Sequence, residues 1–323
     1  MRTEPRLVRR VLNGPTMGTR FAAVFFTQED RCLSGLQLGL QQAVDRVDNQ
    51  MSTWKPRSDL MQLNAAPVGT WLDIPRELAT VLSAALEIGR LSDGAFDIGV
   101  GDLVIAWGFG PAAGAADDQA IANAAARCRT PAHLALELDQ ARHRIRKHAA
   151  IALDLSGIAK GFGVDELARV LDANGIASYL VSIDGELRAG GPKPDGSAWR
   201  IAIEQPEPGR REAALSVELV AAALATSGDY RHVVEHGGRL HAHTMDPLRR
   251  VPLVDGPAAV TTRASTCMVA DAWATALMVL GPERGSTLAD ALGIEALFAE
   301  RCVAPAASPR STPQGGSLHV QEA

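Results

Sequence analysis

Asp271 and Thr275 stand four residues apart in the otherwise apolar run Ala270-Asp271-Ala272-Trp273-Ala274-Thr275-Ala276. On a helix, positions i and i+4 share a face, so this carboxylate and hydroxyl are placed to hold one ligand between them. A bare carboxylate in apolar company needs a partner, because burying an unpaired charge is costly. A hard cation satisfies it, since carboxylate, hydroxyl and main-chain carbonyl oxygens are the ligands that Mg2+ and Ca2+ accept. The same seven residues, taken alone, also describe an amphipathic helix whose Asp271 reaches water or caps a neighbour.

Five further segments carry residues of chemical interest. Thr16-Met17-Gly18-Thr19 is a glycine-containing turn, either a plain hairpin or a turn that brings Met17 against a flat ligand. Met51-Ser52-Thr53-Trp54-Lys55-Pro56 sets Trp54 among polar residues in a chain with only 4% aromatics, as a core side chain or as a stacking platform. Asp93-Gly94-Ala95-Phe96-Asp97, followed by Trp107-Gly108-Phe109-Gly110-Pro111, has the glycine density of backbone that approaches a ligand closely, or of any glycine-rich loop. In Leu153-Asp154-Leu155-Ser156-Gly157-Ile158-Ala159-Lys160-Gly161-Phe162-Gly163-Val164-Asp165, an Asp-x-Ser-Gly strand end feeds a helix start, where free N–H groups attract anions. Lys160 lies where a phosphate would sit, although the GxxxxGK[ST] spacing of a P-loop is absent. His241-Ala242-His243-Thr244-Met245-Asp246-Pro247 offers a titratable pair, His243 and Asp246, though a lone His is more often structural than catalytic.

The elements that must position these groups are legible in outline. Leu7–Leu12 and 20–26 read as strands, and Leu36–Met51 and 77–91 as helices, from their apolar periodicity. Segments 134–138 and 151–155 read as short strands flanking a basic turn at 144–147. A helix is expected over 161–174, then strands at 179–183, 185–191, 199–204 and through 217–225, and a hairpin around Gly237-Gly238. Two helices, 264–280 and 283–292, close the ordered chain, and an Ala/Asp-rich helix or irregular excursion is expected over 112–127. Helices and strands mix without strict βαβ alternation, which favours an α+β fold with a mixed sheet over a doubly wound one.

Composition sets the class. A chain of 323 residues with 46% hydrophobic content is ample for one large domain, expected over 1–302. Residues 303–323, rich in Ala, Pro, Ser and Gly, read as a disordered tail. A net charge of −5 argues against a nucleic-acid partner. No stretch reaches the ~20 apolar residues of a membrane span. The first residues show neither an apolar signal core nor a lipobox cysteine, so a cytoplasmic location is expected. Four scattered cysteines argue against structural zinc and a disulfide framework.

Together the TMGT turn, MSTW, GAFD…WGFGP, DLSGIAKGFGVD, SGDY, HxxDP and ADxxTA resemble, in content and order, the ApbE-type FAD:protein FMN transferase family. The resemblance spans Thr16 to Gly281. It implies an ApbE-like, T-fold-like architecture with helices packed on the sheets and FAD in a cleft. It implies FMN transfer from FAD to a threonine hydroxyl of a target flavoprotein, with release of AMP and help from a divalent cation, Mg2+ or alternatively Ca2+ or Mn2+. By the same resemblance Asp271 and Thr275 give side-chain oxygens to the metal, and Gly157 and Ala274 contact it through carbonyls. Met17, Trp54, Ala95, Phe96, Asp97, Asp154, Lys160 and Thr244 contact the flavin nucleotide. His243 is the expected base, with Asp246 as an alternative base or as the group that orients it. A metal-dependent FAD pyrophosphatase and a non-catalytic flavin carrier are the competing readings. The chain departs from the family pattern at Ile98, Asp102, Asp184 and Arg249-Arg250; the last pair bears on target recognition.

Overall fold

The computed structural model describes residues 6–111, 115–206, 213–229 and 232–301. Its centre is a seven-stranded sheet in the spatial order Leu7–Thr16, Thr19–Gln28, Tyr179–Ile183, Glu186–Ala189, Ala223–Gly228, Ala259–Ala264, Glu295–Ala299. Every ladder of that sheet is antiparallel. The α+β class therefore stands, but the expected mixture of strand directions does not. Among the described residues, parallel pairing is confined to one isolated bridge, Val100–Ala152. Two of the neighbouring strand pairs are joined by two-residue turns, Met17-Gly18 and Asp184-Gly185, which force an antiparallel return.

Strand alternation decides what each sheet face meets. Phe21, Ala23 and Phe25 pack on Leu40 of the helix Ser34–Met51 and on Val164 and Leu167 of the helix Ala159–Ala173. Val24 and Leu180 point the other way, onto Trp199, Ile201 and Leu219 of the hairpin formed by Trp199–Glu204 and Ala213–Leu219. The periodicity of Leu36–Met51 is realised as written, since Leu36, Leu40, Val44, Val47 and Met51 are all buried. The helix Arg76–Leu91 joins a second, larger core with Leu153, Ile158, Phe162, Trp273 and Leu277.

Several expectations are corrected. Residues Arg144–Lys147 are a strand and not a turn, paired with both Leu72–Asp73 and Leu136–Asp139. Ile145 and Lys147 face inward, whereas Arg144 and Arg146 lie over the Trp71 ring at 4.5 and 4.8 Å; the charges conceal the alternation. Segment 151–155 is irregular. Its backbone serves loops instead, as Asn64 Oδ1 accepts the Leu153 N–H at 2.7 Å and Ile98 O accepts that of Asp154 at 2.8 Å. The two closing helices stand as expected: the span Cys267–Leu292 is broken at Gly281 (φ 74°, ψ 174°), which is non-helical and precedes Pro282. The helix Asp59–Ala65 and the edge strand Glu295–Ala299 were not expected from the sequence. The disordered tail expected over 303–323, Tyr230 of the SGDY segment and positions 112–114 lie outside the described residues. Among the described residues, no helix is long and apolar enough to cross a membrane.

Candidate active site

The site forms where the N-terminal turns of Ala159–Ala173 (the lysine helix) and Cys267–Leu292 (the aspartate helix) meet. Glycine makes the approach possible. A Cβ on Gly161 would lie 2.4 Å from the Cys267 carbonyl oxygen and 2.8 Å from Asp271 Cβ. With no side chain there, the Gly161 N–H donates to Asp271 Oδ2 at 2.9 Å. One turn on, Asp165 caps the aspartate helix: its Oδ1 and Oδ2 accept the N–H groups of Cys267 and Met268, each at 2.9 Å. Arg188 donates to the same carboxylate at 2.7 Å. Gly161→Ala should therefore pry the helices apart and destabilise the fold by about 1–3 kcal/mol, the usual range for overpacking. A shifted denaturant midpoint with an unchanged slope would report this; a wild-type midpoint would refute the close approach.

Asp271 is 4% exposed. Burial foremost, then repulsion from Glu186, pushes its pKa up to about 7, against the pull of Lys160 and the Gly161 amide. The helix N-terminus that the sequence marks as an anion site thus already holds an internal carboxylate. Lys160 Nζ lies 2.7 Å from Glu186 Oε1 and 3.5 Å from Asp184 Oδ2, with 31% of its side chain exposed. Burial alone would lower its pKa, but Glu186, Asp271 and Asp184 outweigh that and raise it. Lys160 is firmly charged.

Thr275 Oγ1 lies 3.1 Å from Ser227 Oγ. A Cβ on Gly157 would lie 3.1 Å from Thr275 Oγ1 and 3.3 Å from Phe96 Cε2, so Gly157, Phe96 and Thr275 converge on one space. Ala274 is fully buried. No group of three or more His, Cys, Asp or Glu side chains among the described residues is arranged to hold a metal. Asp271 and Thr275, one turn apart on the aspartate helix, offer one carboxylate and one hydroxyl. That set fits Mg2+, which is commonly held by one or two carboxylates together with substrate phosphates. It does not suit a thiolate- or imidazole-seeking metal.

The remaining expected residues divide. Met17, at φ 45° beside Gly18 at 73°, turns its side chain onto the lysine helix: a Cβ on Gly163 would meet Met17 Cε at 3.0 Å. Ala95 and Phe96 are buried, and the Phe96 ring lies beside Gly157. Asp97 Oδ1 accepts the N–H groups of Gly99 and Ala132 at 2.8 and 3.0 Å, and burial raises its pKa against those bonds. Asp154 accepts the Ser156 N–H at 2.7 Å. In this structure both aspartates brace loops. Trp54 is 59% exposed, which removes the core alternative and leaves a surface ring.

His243 Nδ1 is buried with no hydrogen-bond partner among the described residues. The ring faces His232 and Phe109 at centroid distances of 5.5 and 6.4 Å. Burial, then the charges of His232 and Lys160, lower its pKa to about 4. Thr244 is buried, and its carbonyl accepts the Leu253 N–H at 2.8 Å. Asp246 is committed elsewhere. Its Oδ1 accepts the Leu248 and Arg249 N–H groups at 2.9 Å, and Oδ2 lies 3.7 Å from Arg249 Nε. It shapes the turn after His243, and no hydrogen bond joins it to the imidazole.

Residues 17–298 match the model of the ApbE family. The chain belongs to the ApbE family. Curated relatives named FAD:protein FMN transferase come from Vibrio cholerae (37% identical, covering 89% of this chain and 86% of that protein) and Klebsiella pneumoniae (35%, covering 90% and 84%). The solved structure of the flavin transferase ApbE from Vibrio cholerae superposes with a TM-score of 0.80 at 35% identity, over 91% of this chain and 94% of that one. The apo flavinyl transferase ApbE of Pseudomonas stutzeri also gives 0.80, at 37% identity over 91% and 92%. The ApbE-like α+β architecture is thereby shown, and with it membership in a family of flavin-transferring enzymes.

Four polar residues of this ApbE-family site escaped the reading of single residues: Asp165, Asp184, Glu186 and Ser227. Each lay inside or beside a quoted segment, yet each acts on a residue far away in sequence. Ser227 and Thr275 are separated by 48 positions, and Arg188 reaches back 23 to Asp165. The available signal was Asp165 following the apolar run Phe162-Gly163-Val164 on the buried side of its helix.

Proposed function

We propose that this chain transfers FMN from FAD to a threonine hydroxyl of a target flavoprotein and releases AMP, with a divalent cation at Asp271. The observation that carries the reading is one helix that sets Asp271 against the Gly161 amide near Lys160 and, a turn on, Thr275 against Gly157, within a chain of the ApbE family. A cation bound to those oxygens would supply positive charge against the pyrophosphate. Lys160, held charged by its acidic neighbours, adds a second positive charge. Such positioning and neutralisation is most of what phosphoryl transfer asks of a protein. Phe96 and Met17 offer apolar contact for the flavin nucleotide, and Asp165 keeps the two helices in register. The threonine oxygen forms the new bond to the FMN phosphorus as the P–O bond to AMP breaks. Its proton passes to His243, which is neutral near pH 7.

Incubation with FAD and Mg2+, with and without a peptide bearing a Ser/Thr-Gly-Ala-Thr acceptor pattern, tests the proposal. Covalent flavin on the peptide threonine is the expected result. AMP and FMN formed without peptide labelling would instead make the enzyme a pyrophosphatase, and tight FAD binding without either product would make it a carrier.

A further inference from the structure

Asp184 occupies the first position of the two-residue turn between Tyr179–Ile183 and Glu186–Ala189, in which Ile183 pairs with Glu186. Its φ is 55°, in the left-handed region, whereas Gly185 is not among the glycines with positive φ. A hairpin turn with positive φ at its first position alone prefers glycine at that position. Here the glycine stands second, and an aspartate carries the strain. Backbone strain of this kind concentrates at ligand sites. The strained residue's carboxylate lies 3.5 Å from Lys160 Nζ.

The two acids on Lys160 are not equivalent. Glu186 has a side chain 3% exposed, so its carboxylate depends on the 2.7 Å contact with Lys160. Asp184 is 29% exposed and keeps its own water. It can leave the lysine without being stranded. An incoming phosphate oxygen would displace Asp184 and not Glu186.

We propose that Asp184 competes with the pyrophosphate of FAD for Lys160 and thereby holds the affinity for the nucleotide down. This inference rests on the reading of Lys160 as a pyrophosphate-binding residue. FAD is titrated into the full chain at fixed Mg2+, followed by flavin fluorescence, with riboflavin as a probe that lacks phosphate. Asp184→Asn, which keeps a residue tolerant of positive φ, should bind FAD about three- to fivefold tighter, the scale of a partly exposed ion pair. Riboflavin affinity should not move. The same substitution in a Lys160→Met/Glu186→Gln background, where no buried carboxylate is left unpaired, should give no gain.

The outcomes separate the two ideas. If Asp184→Asn binds FAD no tighter while the Lys160→Met/Glu186→Gln protein binds it more weakly, the competition is refuted and the lysine's role stands. If the Lys160→Met/Glu186→Gln protein binds FAD as well as wild type, the lysine's role falls and the inference with it. Equal tightening with and without Lys160 would mean a general charge effect and would also overturn the competition.

Discussion

An Asp271→Asn enzyme is expected to lose roughly a thousandfold or more of its Mg2+-dependent turnover, because a cation stabilising transition-state charge is worth several kcal/mol. It should also melt at a higher temperature than wild type when no divalent cation is present. Both follow from one observation. Asp271 is a buried carboxylate whose pKa burial and Glu186 push up to about 7. Asparagine keeps the shape and can still accept the Gly161 N–H, now through an amide oxygen. It removes a charge that burial beside Glu186 disfavours when no cation is bound. Residues that weaken the fold while serving chemistry show this opposition of stability and activity. Turnover and thermal melts with and without Mg2+ check it. A variant that is less stable without cation, or one that keeps saturable Mg2+ dependence, would remove Asp271 from the metal site.

His243→Gln should lower the rate of acceptor labelling by about 10²–10⁴, the span of general-base catalysis, with the FAD dissociation constant within about twofold of wild type. Loss of FAD binding would instead make the histidine structural. In the free protein, burial and the positive charges of His232 and Lys160 hold its pKa near 4. That is low for a base working at neutral pH. The bound pyrophosphate would bring negative charge next to Lys160 and relieve part of that repulsion, so FAD binding near pH 5–6 should be accompanied by proton uptake that His243→Gln abolishes. Calorimetry in buffers of different ionisation enthalpy measures it. The stability consequence has a definite sign. A histidine at about 4 when folded and 6.5 as the reference value binds fewer protons in the native state. Its contribution is fully present above pH 6.5 and is lost as pH falls toward 4. His243→Gln should flatten that part of the stability profile.

Much of the architecture was legible because it rests on local patterns. The buried stripe of Leu36–Met51, the Met17-Gly18 turn and the hairpin around Gly237-Gly238 follow from periodicity and turn chemistry. The strand Arg144–Lys147 was missed because two arginines on the solvent side and a buried lysine hid a period of two. Asp271 and Thr275 were conspicuous, since polar residues in an apolar helix are few. What surrounds them was not. Nothing near position 271 says that its nearest hydrogen-bond donor is the amide of residue 161, or that Asp165 caps its helix. The commitment of Asp246 to its own turn was equally invisible, because one carboxylate spelling serves a base and an Asx-type cap alike.

The bond from Gly161 to Asp271 spans 110 positions, and those from Cys267 and Met268 to Asp165 span 102 and 103. Synthesis proceeds from the N-terminus, so the lysine helix emerges long before its partner exists. Until the aspartate helix has been made and has docked, the bond from the Gly161 N–H to Asp271 cannot form. A chain interrupted before residue 267 lacks Asp271 and Thr275 and the helix that Asp165 caps.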